Sequence, residues 1–148
     1  MRAVVTRVLS ASVDINGERL SEIGKGFLVL LGVKNSDTPE QAKKMADKIC
    51  GLRIFEDGNG KMNIAPKDAG AELLIVSQFT LYADCSSRRP GFTDAARPEL
   101  SKPLYEQVIS ECQSRGFKVQ TGEFGADMKV ELLNDGPVTI CMDTKNKE

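Results

Sequence analysis

A run of apolar residues, Leu73-Leu74-Ile75-Val76, leads directly into Ser77-Gln78-Phe79-Thr80 near the middle of the chain. Four consecutive apolar side chains are typical of a strand that is buried on both faces. The three polar side chains that follow would be costly to bury without hydrogen-bond partners. The pattern therefore predicts a buried strand from Glu72 to Tyr82 that carries either a structural hydrogen-bond network or a ligand.

The chain contains no histidine. A Ser-His-Asp triad is therefore excluded, and the usual acid-base group at neutral pH is missing. A hydroxyl nucleophile such as Thr80 would need Lys, Asp, Glu or Tyr as its base, and nothing in the spacing selects one. Hydrogen bonds to neighbouring backbone groups are the alternative explanation for Ser77 and Thr80.

The cysteines argue against a metal centre. Cys50, Cys85, Cys112 and Cys141 lie far apart, and no histidine can complete a mixed zinc site. The aspartates show no spacing typical of a calcium loop. We therefore predict no metal, no cofactor, and free thiols in a reducing compartment.

The length and net charge of the chain limit what it can be. Its 148 residues fit one domain, which we expect to span residues 1–148. The net charge of −1 excludes a global basic surface, so a nucleic acid would have to bind through a local patch. The absence of a long apolar run and of a signal-peptide core predicts no membrane span and a cytoplasmic location.

Eight segments carry the residue pattern of strands. Asn16-Gly17 between two of them is the strongest short hairpin pattern, and Asn134-Asp135-Gly136-Pro137 separates the last two. The predicted strands are Met1–Val8, Ser10–Ile15, Glu18–Ile23, Gly26–Val33, Arg53–Phe55, Glu72–Tyr82, Met128–Leu132 and Val138–Met142.

Two helices are predicted from apolar residues at helical spacing. The first has Thr38 as its N-cap and Pro39 in its first position. The second has Ser101 and Pro103 in its first turn, ends at Arg115 and is followed by Gly116. The predicted buried faces are Ala42, Met45, Ala46, Ile49 and Leu52 on the first helix, and Leu100, Leu104, Val108, Ile109 and Cys112 on the second.

Many strands and two helices around one core predict an α+β fold with a curled, barrel-like mixed or antiparallel sheet. Such a sheet leaves edge strands, and pairing in a homodimer is one way to cover them. The polar tail from Thr144 to Glu148 is predicted to fray.

Three further segments are candidates for a site. Gly136-Pro137 fits a tight turn, but its exposed carbonyls could instead line a pocket. The stretch from Gly122 to Met128 fits an ordinary loop, or one whose glycines let the backbone approach a ligand. The basic residues Arg88, Arg89, Arg97 and Lys102 are typical of a solvated face and could alternatively meet phosphates.

Together these motifs resemble those of the D-aminoacyl-tRNA deacylase family. The stretch Ser77-Gln78-Phe79-Thr80-Leu81, followed by Asn134-Asp135-Gly136-Pro137-Val138-Thr139, is similar to the pair of motifs of that family. The similarity extends over nearly the whole chain. The other matching segments are Arg7-Val8, Ala11–Val13, Leu30–Val33, Arg53–Phe55, Gly60–Asn63, Arg89-Pro90 with Phe92, and Gly122–Met128.

The resemblance implies an enzyme, a carboxylic ester hydrolase that releases a D-amino acid from the 3′ end of tRNA. It implies action on mischarged glycyl-tRNA as well, and no cofactor. The implied assembly is a cytoplasmic homodimer with two active sites at the dimer interface, and the implied partner is the acceptor end of D-aminoacyl-tRNA.

The resemblance also assigns the catalytic segment. It places Ser77, Gln78, Phe79 and Thr80 beside the terminal adenosine and the scissile ester. The backbone N–H of Phe79 would stabilise the oxyanion, and the ribose 2′-hydroxyl would help to activate water. An older proposal for the family makes Thr80 the nucleophile; we favour a positioning role for it, because no base is evident beside it.

The remaining residues that the resemblance assigns bind the substrate. Gly136 and Pro137 would enter from the partner subunit with a cis bond, hold the substrate amino group and leave no room for an L side chain. Arg7 would fix this motif. Phe124 and Met128 belong to the same substrate-binding set.

Three other functions remain open at this point. A relative of the family with a trans proline acts on mischarged L-alanyl-tRNA, although the match at Asn134–Thr139 and Arg7 favours the D-specific branch. The scaffold could instead form a non-catalytic dimer that binds an RNA end or a small ligand. A hydrolase with Thr80 as nucleophile would act on small esters or amides through a covalent intermediate.

Overall fold

The computed structural model describes residues 1–145, so the end of the predicted polar tail, residues 146–148, lies outside the described residues. Within them, eight strands and two α-helices are formed. In chain order these are β1 (Arg2–Ile15), β2 (Glu18–Ile23), β3 (Gly26–Gly32), α1 (Pro39–Cys50), β4 (Phe55–Glu56), β5 (Met62–Ile64), β6 (Glu72–Ser77), α2 (Pro98–Ser114), β7 (Val119–Thr121) and β8 (Lys129–Asp143).

The two longest strands, β1 and β8, pair antiparallel along almost their whole length, from Arg2 opposite Asp143 to Asp14 opposite Lys129. Each was predicted as two shorter strands, and both predictions are wrong. The pairing shifts register on either side of Val8, and β8 continues as one strand past these shifts. Residues 134–137, predicted as a turn, are therefore an irregular stretch inside one strand, because a bulge absorbs extra residues without reversing the chain.

The other side of β1 is covered by two strands that follow each other. The hairpin at Asn16-Gly17 is confirmed: it joins β1 to β2, which pairs with the second half of β1. Strand β3 then pairs antiparallel with the first half of β1. Next to it lie β6 and β7, both in parallel pairs. The result is a nearly closed, barrel-like mixed sheet, as predicted.

Parallel neighbours need long crossover connections, and the two helices lie in them. Helix α1 lies between β3 and β6, and α2 lies between β6 and β7. Strands β3 and β6 are consequently buried on both faces. Leu73 and Ile75 contact the cluster under the helices, whereas Leu74 and Val76 contact a second cluster inside the curled sheet.

Strand β6 ends earlier than predicted, at Ser77. The backbone N–H of Gln78 donates to the carbonyl of Leu31 at 2.8 Å, and the chain then turns into a short 3₁₀ helix, Phe79–Tyr82. Ser77 and Gln78 are half-buried, and Phe79 and Thr80 are exposed. The expectation of a buried strand with polar side chains is therefore wrong; these groups lie at a strand end that solvent reaches.

The helices agree with the sequence pattern apart from the start of α2 and the end of α1, which stops at Cys50 and leaves the predicted face residue Leu52 half-buried beyond it. Helix α1 begins at Pro39, and the N–H of Thr38 donates to the side-chain oxygen of Gln41 at 2.8 Å. Helix α2 begins at Pro98, before the predicted start, because Pro98 also suits a first helical position. Leu100, predicted to be buried, is exposed, whereas the unpredicted Tyr105 is buried.

The N-terminal ammonium of Met1 is completely buried. It donates to Asp37 Oδ1 at 2.8 Å and to Thr144 Oγ1 at 3.0 Å. The backbone N–H of Thr144 donates in turn to the Met1 carbonyl at 2.9 Å. Thr144 was predicted to belong to a frayed tail, and that prediction is wrong, because these contacts fix it beside β1.

Candidate active site

A cavity of about 610 Å³ opens where β6 ends. A cavity of this size is in the range of small-molecule binding sites. Five of the predicted site residues line it, namely Ser77, Gln78, Phe79, Phe124 and Met128. The structure therefore brings together two segments that lie more than forty residues apart in the sequence.

A close approach between two strand ends shapes the floor of this cavity. Gly32 ends β3, and a Cβ at this position would lie 3.1 Å from the Gln78 carbonyl oxygen and 3.1 Å from the Leu81 Cβ. Glycine therefore lets the chain after Ser77 turn tightly across the end of β3. This turn directs the Phe79 side chain outward, where 56% of it is exposed and its ring packs edge-on against Phe92 at 5.2 Å between ring centres.

The turn also leaves two backbone amides without a partner inside the short helix. The first N–H groups of a helix have no partner within that helix, and in Phe79–Tyr82 these belong to Phe79 and Thr80. The next amide, that of Leu81, already donates to the Gln78 carbonyl at 3.3 Å. Two neighbouring donors of this kind are suited to a developing oxyanion.

Thr80 does not line the cavity. Its hydroxyl oxygen accepts a short hydrogen bond from the Gln78 side-chain amide. Within the part of the chain that the structure describes, no Lys, Asp, Glu or Tyr side chain hydrogen-bonds to this hydroxyl. The geometry gives Thr80 the means to orient Gln78 and supplies no base that would make it a nucleophile.

The opposite wall is formed by the stretch before β8. The Phe124 ring lies 6.0 Å from the Tyr105 ring, and the Tyr105 hydroxyl donates to the Ile75 carbonyl at 2.7 Å. Burial raises the pKa of Tyr105 to about 12, so the phenol stays a neutral donor. Met128 packs against Gly122, where a Cβ would lie 2.5 Å from its sulfur. These contacts fix the wall against the core.

The predicted Gly-Pro motif forms a second group of residues. The Gly136–Pro137 peptide bond is cis, and both residues are exposed in the irregular stretch of β8. The Asn134 side chain holds this stretch, because its oxygen accepts from the Val138 N–H at 2.9 Å and its amide donates to Thr139 Oγ1 at 3.2 Å.

Arg7 anchors the same stretch from β1. Its side chain is 5% exposed, and it donates from Nε to the Asp135 carbonyl at 3.0 Å and from Nη1 to the Ile54 carbonyl at 2.6 Å. The carboxylates of Asp135, at 3.5 Å, and of Glu56, at 3.9 Å, balance its charge. A buried guanidinium with partners of this kind fixes backbone position more than it adds stability.

Gly136 cannot be replaced without strain. Its φ is +144°, which L side chains rarely adopt. A Cβ there would lie 2.6 Å from Val138 Cγ2 and 2.9 Å from the Val138 nitrogen. The bulge therefore depends on glycine at this position.

The two groups do not share a cavity within one chain. Arg7 and Asp135 line a separate cavity of about 410 Å³, together with Phe55 and Glu56 among others. Neither Gly136 nor Pro137 lines the cavity beside Ser77. One described chain therefore does not by itself bring the Gly-Pro motif to the Ser77–Thr80 segment.

The sequence pattern missed several residues that line the cavity. Ala95, Ala96, Pro98 and Ser101 are among them. They come from the long connection after β6 and the start of α2, which no periodicity places near a strand end. Two residues of this connection were indicated by the sequence, Phe92 through the family resemblance and Arg97 as a basic residue that could meet phosphates, and both line the cavity.

No cluster of three or more metal-ligating side chains occurs among residues 1–145. All four cysteines are free. None of the helices described is long and apolar enough to cross a membrane.

The barrel-like sheet, the two helices and this cavity define a small α+β protein whose site is built from main-chain and aromatic groups. The family model described as D-Tyr-tRNA(Tyr) deacylase matches residues 4–143. The chain therefore belongs to this family. The expectation of a hydrolase of the D-aminoacyl-tRNA deacylase family is confirmed by this membership.

Individual relatives agree with this assignment. A D-aminoacyl-tRNA deacylase of Thermosipho africanus is 52% identical over 146 residues, which cover 98% of each chain. One of Clostridioides difficile is 54% identical over 145 residues, 97% of each chain. The solved structure titled c-Myc DNA Unwinding Element Binding Protein is 39% identical with a TM-score of 0.92, and the match covers 99% of this chain and 100% of that one.

Proposed function

We propose that the protein, as one domain over residues 1–148, hydrolyses the ester that joins a D-amino acid to the 3′ end of tRNA, and acts likewise on mischarged glycyl-tRNA. The relatives named above as D-aminoacyl-tRNA deacylases support the reaction class. The observation that carries the proposal is the cavity at the end of β6, which is lined by Phe79 and Phe124 and adjoins the start of the 3₁₀ helix, whose first backbone amides have no partner within that helix. A cytoplasmic location follows from a tRNA substrate.

In this mechanism the terminal adenosine occupies the cavity, with its base between Phe79 and Phe124 and its ester at the amides of Phe79 and Thr80. Both rings line the cavity, and the Phe79 ring is exposed for stacking. The amides stabilise the negative charge that develops on the carbonyl oxygen. The 2′-hydroxyl of the terminal ribose helps to activate the attacking water, so that the substrate supplies the group that the histidine-free chain lacks.

The Gly136–Pro137 motif serves the active site of the partner subunit in a homodimer. Two observations support this assignment. Gly136 and Pro137 are exposed but remote from their own chain's cavity lining. Among the described residues β8 pairs only with β1, which leaves its outer edge, together with the exposed Leu132 and Leu133, open for a second copy.

Selection for D-amino acids then follows from steric exclusion of the L side chain. The Gly136 and Pro137 carbonyls of one subunit accept from the amino group of the substrate, and the rigid bulge leaves no space for a side chain of L configuration. Arg7 and Asn134 hold the bulge in place. Glycine has no side chain, so glycyl-tRNA passes the same filter.

The test is deacylation of matched D-tyrosyl-, L-tyrosyl-, glycyl- and L-alanyl-tRNA by the purified protein. Fast loss of the D-tyrosyl and glycyl esters with the L-tyrosyl ester intact supports the proposal. Loss of none of them, with tRNA still bound, would identify a non-catalytic RNA-end-binding protein. Hydrolysis of L-alanyl-tRNA in preference to D-tyrosyl-tRNA would identify the trans-proline type of activity instead.

A further inference from the structure

The arginines of this chain fall into two groups. Of its eight arginines, five use their guanidinium groups within the chain: Arg2, Arg7, Arg19, Arg53 and Arg115. The other three, Arg88, Arg89 and Arg97, make no side-chain hydrogen bond or ion pair with any residue that the structure describes. All three belong to the connection that borders the cavity.

Arg88 and Arg89 are presented by a small hairpin. Asp84 and Gly91 exchange two backbone hydrogen bonds, at 2.7 and 2.9 Å, and close a loop whose residues 85–90 are all exposed. Ser87 Oγ donates to the Arg89 carbonyl at 2.8 Å inside the loop. Internal bonds of this kind hold the loop backbone at a defined place and leave both arginine side chains in solvent.

The hairpin lies beside the proposed adenosine site. Phe92 directly follows it, lines the cavity and packs edge-on against Phe79. A nucleotide chain that leaves the cavity past Phe79 and Phe92 therefore meets the hairpin next. Arg97 lines the cavity itself, at the residue before α2.

The acidic residues nearby form no ion pair with the hairpin arginines among residues 1–145. The Asp84 carboxylate accepts from the Ser86 N–H at 3.0 Å, and these local hydrogen bonds lower its pKa. Asp127 on the cavity wall is paired with Lys129 at 3.1 Å. Asp94 and Glu99 flank Arg97 in the sequence, and Lys102 follows. The site as a whole is mixed in charge, and the positive groups that are free to bind a ligand are concentrated on the hairpin.

We propose that Arg88 and Arg89 bind phosphate groups of the single-stranded acceptor end of tRNA, immediately before the terminal adenosine. This inference rests on the proposed function, because it assumes that an aminoacylated adenosine occupies the cavity. A protein with a net charge of −1 gains no general attraction for RNA, so a local patch must supply it. Arginine suits the task, since its planar fork binds phosphate oxygens in pairs.

The test compares two substrates in the double variant Arg88→Gln/Arg89→Gln. D-tyrosyl-tRNA carries the phosphates, whereas 2′(3′)-O-D-tyrosyl-adenosine carries the same ester and ribose without any. For the tRNA we expect KM to rise about tenfold with kcat unchanged, and the salt dependence of log KM to fall by about 0.7 for each lost phosphate contact. For the adenosine ester we expect no change.

The control is Lys43→Gln/Lys61→Gln, which removes the same charge from exposed positions outside the cavity lining. An equal loss of tRNA affinity in the control would show that the change in net charge causes the effect, and would overturn the inference. A rise in KM for both substrates would show that the arginines act on the cavity, which also overturns it.

Failure of the proposed function is distinguishable from failure of this inference. If the wild-type protein hydrolyses neither ester, the proposed function fails. The affinity for a fluorescent RNA hairpin with a CCA end and no attached amino acid can then still be measured by anisotropy for the wild-type protein and the two double variants. Equal affinity of the wild-type protein and Arg88→Gln/Arg89→Gln for that RNA would overturn the phosphate contacts.

Discussion

The Nε atom of Arg7 donates to the backbone carbonyl of Asp135 at 3.0 Å, and this hydrogen bond joins positions 128 residues apart. It crosses between β1 and β8 at the point where their register breaks. A bulge by itself leaves carbonyl groups without ladder partners. The guanidinium replaces the missing strand hydrogen bonds and thereby fixes the backbone that carries Gly136 and Pro137.

Replacing Arg7 should therefore damage the protein in two ways. In Arg7→Ala the Ile54 and Asp135 carbonyls lose their buried donor, and we expect the free energy of unfolding to fall by about 1–3 kcal/mol. Arg7→Lys keeps the charge but loses the fork geometry. It should remain folded and yet hydrolyse D-aminoacyl-tRNA more slowly. Urea unfolding and deacylation kinetics measure the two effects; full activity in Arg7→Lys would contradict the anchoring role.

Substitution of Gly136 tests the bulge directly. The methyl group of Gly136→Ala would meet Val138 Cγ2 at 2.6 Å, at a φ of +144°. We expect a stability loss of about 1–3 kcal/mol and a larger proportional loss of deacylase activity, because the displaced carbonyls are the groups that we propose bind the substrate. Gly58→Ala is the control, since nothing lies within 4 Å of a Cβ there. Unchanged activity of Gly136→Ala would place the motif outside the active site.

Local sequence patterns predicted the structural elements whose conformation depends on neighbouring residues. The Asn16-Gly17 hairpin, the start of α1 at Pro39 and Gly116 after α2, with φ of +89°, all depend on a few neighbouring residues. The continuity of β1 and β8 depends instead on pairing between opposite ends of the chain. No window of ten residues around Asn134 contains that information, so the local residue pattern predicts a turn there.

The sequence likewise identified only part of the site. The sequence identified the Ser77–Thr80 segment, Phe124 and Met128, and the structure places Ser77, Gln78 and Phe79 with these two around one cavity. It did not show that the strand ends at Ser77, because the responsible bond runs from the Gln78 N–H to Leu31 on another strand. It also did not show that Arg97, one of the basic residues that could meet phosphates, lines this cavity, because tertiary packing brings it there.

Thr80 should prove dispensable for the chemical step. Its hydroxyl is bonded to the Gln78 side chain and does not line the cavity. We expect Thr80→Ala to keep kcat within about tenfold of the wild-type value, whereas loss of a true nucleophile costs several orders of magnitude. Thr80→Ser, which keeps the hydroxyl, is the matched control. Trapping of an aminoacyl ester on Thr80 by rapid denaturation would contradict this assignment.

The buried phenol of Tyr105 should make the fold sensitive to alkali. Burial raises its pKa to about 12, above the value of about 10 in an unfolded chain. The unfolded state therefore releases its proton first, and the stability that the neutral phenol contributes is complete below pH 10 and is lost as the pH rises to 12. We expect urea midpoints to fall over this range more steeply in the wild-type protein than in Tyr105→Phe. Parallel curves for the two proteins would contradict the role of Tyr105.

The buried ion pair at the N-terminus gives the last prediction. The Met1 ammonium and the Asp37 carboxylate are both inaccessible to solvent and lie 2.8 Å apart, and the other Asp37 oxygen accepts from the Lys34 N–H at 2.7 Å. In Asp37→Asn the ammonium stays buried without its counter-charge, so we expect a loss of about 3–5 kcal/mol in the free energy of unfolding.

The control for this pair is an ion pair of similar length at the surface. Glu22 lies 2.7 Å from Arg19, with both side chains exposed, so Glu22→Gln should cost less than about 1 kcal/mol. Urea unfolding of the two variants under the same conditions gives the comparison. An Asp37→Asn protein as stable as Glu22→Gln would mean that water reaches the Met1 ammonium and that the N-terminus is not held in the core. A much less stable Asp37→Asn protein would show that the contact between Met1 and Asp37 fixes the start of β1, against which β8 and its bulge are aligned.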